Sequence, residues 1–98
     1  MNAIQSGTYK ILRVDGSEEI IPRKPSMRYL TKEIGAESID TVTLDRRNQT
    51  IMIVDDTGMI DGKPVNPKAT ELYHSICKPG TVWAIHGDVA LVDDEDFA

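Results

Sequence analysis

The stretch that decides the fold is Asn66-Pro67-Lys68-Ala69-Thr70-Glu71-Leu72-Tyr73-His74-Ser75-Ile76-Cys77. Asparagine is a strong helix N-cap, and proline is favoured at the first helical position, where its missing N–H costs nothing. Ala69, Leu72, Tyr73 and Ile76 then fall at i, i+3, i+4 and i+7, one apolar stripe on a helix. The pattern predicts a helix over residues 67–77, with Lys78 suited to its negative end and Pro79-Gly80 closing it.

Outward from this helix the pattern changes to strands. Thr8 to Val14 reads as a strand, with Tyr9, Ile11 and Arg13 on one face and Lys10, Leu12 and Val14 on the other. Asp15-Gly16 is a hairpin signal, since a two-residue turn needs φ > 0. Ser17 to Ile21 is the return strand, ended by Pro22. Ser26 caps a short helix from Met27 to Ile34, whose Met27, Leu30 and Ile34 make an apolar stripe and which Gly35 stops. Ile39 to Leu44 and Thr50 to Val54 form a second hairpin around Asp45-Arg46-Arg47-Asn48. Its second arm, TIMIV, is apolar enough for an interior position. Residues 55–65 read as a loop, with an extended piece at Met59-Ile60. Val82 to Ile85 and Asp88 to Val92 are two further strands, split at His86-Gly87. The expected order is ββ-α-ββ-α-ββ. This is an α+β fold, a mostly antiparallel sheet with two helices placed on one face. Residues 1–98 make a single domain, with 1–7 and 93–98 expected to fray.

Composition narrows the function classes. The 98 residues carry a net charge of -5, and Asp93 to Asp96 supply four of the sixteen acids, so the body is close to neutral. Nucleic acid is not an expected partner, because the basic residues are scattered and few aromatics interleave with them. With one cysteine, Cys77, no internal disulfide forms, which suits a reducing compartment. No apolar run approaches a membrane span, and Met1 to Thr8 lacks the basic start and apolar stretch of a signal peptide. The expectation is a cytoplasmic protein with no membrane role.

Candidate chemistry is sparse. His74 and Cys77 share a helical face and His86 could approach them, yet a structural zinc site needs four ligands. A Cys77–His74 thiolate pair would sit at a negative helix end, which disfavours the thiolate. Asp55-Asp56-Thr57-Gly58 with Asp61-Gly62 lacks the alternating acids and closing glutamate of a calcium loop. No catalytic residue, metal or cofactor is therefore assigned. The best ligand candidate is an anion at the start of the second helix, with Asn66, Lys68 and Thr70. Arg23, Lys24, Arg28, Arg46 and Arg47 could add charge if gathered there. His86 and Asp88 complete the candidate site residues, as the pair to examine for a small enzyme.

PVNPKATELY together with Gly87-Asp88-Val89 resembles a small family from bacteriophages, plasmids and bacterial genomes, known as a domain of unknown function. The resemblance covers residues 25–92. It pairs Asp61-Gly62-Lys63-Pro64 with an Asn-Pro-x-Ala-Thr helix start and a closing Gly-Asp-Val strand. It implies an accessory protein in the cytoplasm of a bacterial host, acting by binding a host protein. The alternative is sequestration of a small ligand, a nucleotide or nucleotide signal. Exposed sheet edges add self-association, a homo-oligomer, to the expected partners.

Overall fold

A computed structural model describes residues 8–45, 50–77, 80 and 83–93. Among them run β1 (Tyr9–Leu12), β2 (Glu18–Ile20), α1 (Met27–Glu33), β3 (Ile39–Asp45), β4 (Thr50–Asp55), α2 (Pro67–His74) and β5 (Val89–Asp93). The five strands form one sheet in the order β2-β1-β5-β4-β3, and every neighbouring pair is antiparallel. The α+β class is as the sequence indicates. The long connections bring β5 to the centre, between the two hairpins.

Strand alternation gives the sheet two apolar faces, and one helix covers each. Tyr9, Ile11, Ile51, Ile53, Ala90 and Val92 face α1, where Leu30 and Ile34 pack on them. Leu12, Met52, Val54 and Val89 face α2, through Ala69 and the partly buried Leu72 and Tyr73. The expectation of both helices on one face is thus corrected. Ile51 to Val54 are buried without a break, which requires cover on both sides.

Five local readings also change. The first hairpin closes through a three-residue loop, with Arg13 N–H donating to Ser17 O (2.9 Å) and Gly16 N–H to Arg13 O (3.0 Å). Gly16 takes the left-handed φ of +91° that this loop demands. Trp83 to Ile85 is not a strand. It is pulled off the sheet by bonds to α2, while His86 makes a lone bridge to Val65. Met59-Ile60 lies in consecutive turns and not in an extended piece. Helix α2 stops at His74, with Ser75 as its C-cap. Asp93 belongs to β5, held by its N–H to Thr8 O (2.9 Å), so the expected fraying does not begin there. The expectations for residues 1–7, 46–48, 78, 79, 82 and 94–98 lie outside the described residues.

Candidate functional site

The α2 start and the segment before β5 meet in space. Asn66 is fully buried. Its side-chain oxygen accepts the Ala69 N–H (3.1 Å). Its amide donates to Leu12 O (3.0 Å) and to Gly87 O (3.0 Å). Both side-chain N–H bonds and the cap are therefore in use. Thr70 is engaged in the same seam. Its hydroxyl accepts the Ile85 N–H (2.9 Å) and lies 3.4 Å from Ile85 O. Asn66 N–H to Ile85 O and Gly87 N–H to Pro64 O, each 2.8 Å, complete it.

This geometry leaves little at α2 for an anion. Pro67 has no N–H, Ala69 N–H is capped, and Thr70 N–H is bonded to Asn66 O at 2.9 Å. Lys68 points elsewhere, into a cleft of about 330 Å³ between α2 and the β1–β2 hairpin. There Lys68 and Lys10 grip the two oxygens of Glu18 at 2.8 and 3.0 Å, above Leu12, Leu72 and Leu91. Lys68, and then Lys10, hold the Glu18 carboxyl below its ordinary range. Glu71 lines the same cleft.

His86 and Asp88 do not form an acid–base pair. The His86 ring donates Nδ1–H to Lys63 O at 2.7 Å. Asp88 accepts the Val14 N–H (2.9 Å) and an Arg13 guanidinium N–H (2.9 Å). Arg13, which the pattern reading assigned only to a strand face, is a junction. It also bonds Glu19, the Glu33 carboxylate (2.7 Å) and the Glu33 carbonyl (3.0 Å). The Glu19 bond chiefly holds the guanidinium charged, against burial and with help from Asp88 and Glu33. Sequence alternation could not reveal this, because all three acids come from different elements.

The acidic loop is also occupied by its own bonds. The Asp55 side chain is 1% exposed and paired with Lys63, which also donates to Gly35 O (2.7 Å). Burial pushes the Asp55 carboxyl up. Lys63, the Thr57 N–H and the Thr57 hydroxyl outweigh it and hold the group below the usual carboxylate range. Gly58 has to be small here, since a Cβ would lie 2.8 Å from His86 O. Near α2's end, His74 Nε2–H donates to Trp83 O (2.6 Å), and Cys77 raises the Tyr73 hydroxyl. Among the described residues no three His, Cys, Asp or Glu side chains gather to hold a metal. None of their helices is long and apolar enough to cross a membrane.

No protein-family model, curated protein or solved structure matches the chain.

Proposed function

We propose that the chain is a non-enzymatic accessory protein of a phage or mobile element that acts by binding a host protein. The observation that supports this is the exposure of large apolar side chains at the far end of α2. Trp83 is 62% exposed and Ile76 44% exposed. Their two segments are tied together by the His74–Trp83 bond. Tryptophan is a frequent anchor of protein interfaces, where it fills a desolvated pocket on the partner. The polar side chains best suited to chemistry, by contrast, are used inside the fold. The test is capture from bacterial lysates on immobilised protein, followed by calorimetric titration of the purified captured protein. The expected result is a saturable partner that is lost with W83S/I76S while the melting temperature stays unchanged. No enriched protein across several hosts, or equal binding by the variant, overturns the proposal.

A second reading, sequestration of a nucleotide or nucleotide signal, draws support from the Lys10–Lys68 cleft. A phosphate joined to a base would displace Glu18 from the two ammonium groups and set the base on the apolar floor. A thermal-shift screen against nucleotides tests it, since ligand at 100 times its Kd adds about 2.7 kcal/mol. The expected shift disappears in K10A/K68A, and no shift with any nucleotide removes the reading.

A further inference from the structure

The two sheet edges are unlike. β2 is three residues long, and two of those are Glu18 and Glu19. Shortness and charge are the ordinary guards of an edge strand. β3 at the opposite edge has seven residues, IDTVTLD, with acids at Asp40 and Asp45 and a register shift after Thr43, and between them an uncharged stretch, Thr41-Val42-Thr43. Ile39, Thr41, Val42 and Thr43 are β-branched and suit strand pairing.

The backbone phase of β3 follows from its bonds. Ser38 O accepts the Asp56 N–H at 3.0 Å, and Asp40 and Val42 lie opposite Val54 and Met52. Ser38, Asp40 and Val42 therefore turn their N–H and C=O groups to β4, up to the register shift after Thr43. Alternation turns those of Ile39, Thr41 and Thr43 to the open edge. The Thr41 N–H indeed bonds the Asp40 side chain (2.9 Å).

We propose that β3 pairs antiparallel with β3 of a second copy about a two-fold axis at Val42, joining two sheets into one of ten strands. The sequence of this edge is self-complementary in that register. Thr41 meets Thr43 of the second copy, so the outward-facing groups match one another and exchange bonds. Both threonines are exposed, and threonine pairs stabilise facing strands. On the α2 side, Val42 meets its own copy, flanked by two half-buried Leu44 side chains. The β3–β4 register shifts between Thr43 and Asp45, so the matched stretch is Thr41-Val42-Thr43, and no acid lies within it. In a chain of net charge -5, the three central contacts of this pairing are thus uncharged. Forming the pair exchanges the Asp40–Thr41 bond for one to the backbone of the second copy.

The experiment is sedimentation equilibrium of the full chain over a concentration series, on wild type and two variants. Wild type is expected to approach twice the 10.9 kDa chain mass. T41K/T43K places lysine against lysine at both threonine contacts, and is expected to weaken the dimer at least about tenfold, with unchanged circular dichroism. T41K/T43E places lysine opposite glutamate in the Val42 register, and is expected to dimerise at least as well as wild type. A wild type that stays monomeric up to millimolar concentration overturns the proposal. So does a dimer indifferent to T41K/T43K. Loss of the dimer in T41K/T43E overturns this register, because like charges would then be meeting, lysine at 41 or glutamate at 43.

Discussion

The side-chain amide of Asn66 donates a 3.0 Å hydrogen bond to the carbonyl of Gly87. It joins the helix-start segment to the Gly-Asp-Val segment, 21 positions apart in the chain. The two most distinctive pieces of sequence are thus one seam, stitched by Asn66 and Thr70 and anchored to β1 through Leu12 O.

Thr70 tests the seam from the helix side. Thr70→Val keeps the shape but leaves the half-buried Ile85 N–H without its acceptor. An unsatisfied buried donor costs about 1–3 kcal/mol. The expected loss in urea unfolding is about 1–2 kcal/mol, with Thr70→Ser recovering most of it.

Acid stability should carry the mark of Asp55. Its carboxyl is held below its unfolded value, so folding favours the ionised form. The resulting stabilisation is fully present above the unfolded carboxylate value of about 4. It is lost as pH falls below that through the lower folded value. Asp55→Asn should flatten this part of the stability–pH curve. Lys63→Met strands a buried carboxylate and should cost about 3 kcal/mol near neutral pH. Urea midpoints between pH 2 and 7 check both.

Arg13 ties the first hairpin, the end of α1 and the approach to β5 to one guanidinium. Arg13→Met leaves partly buried acids facing one another, and should cost about 2 kcal/mol. For a domain of this size that is roughly a 10 °C fall in melting temperature. Arg13→Lys should restore only part of it, because lysine cannot reproduce the planar fork.

The capping and burial signals in the chain match the local structure. Asn66-Pro67 and Ser26 start helices, and TIMIV is an interior strand, because capping and burial are written in neighbouring residues. What the pattern could not show was partnership over distance. Helix placement on opposite faces depends on how β5 inserts between the hairpins, which no local period encodes. Trp83 to Ile85 has strand composition, yet Thr70 and Asn66 take its backbone bonds. Asn66, Thr70 and Asp88 looked available for a ligand because their partners Gly87, Ile85 and Arg13 lie far along the chain. Lys68, by contrast, lines the cleft between α2 and the first hairpin.

The Asn66 side chain is committed to the fold, with its oxygen and both its N–H groups bonded inside it. Urea unfolding of Asn66→Asp at neutral pH tests this most directly. Aspartate caps a helix as well as asparagine does, so a cap alone predicts stability within about 0.5 kcal/mol of wild type. The seam predicts much more, because a buried carboxylate would face the carbonyls of Leu12 and Gly87 in place of two donors. A loss of at least about 3 kcal/mol is the expected result. A variant as stable as wild type would contradict the account and return Asn66 to the list of candidate ligand-binding residues.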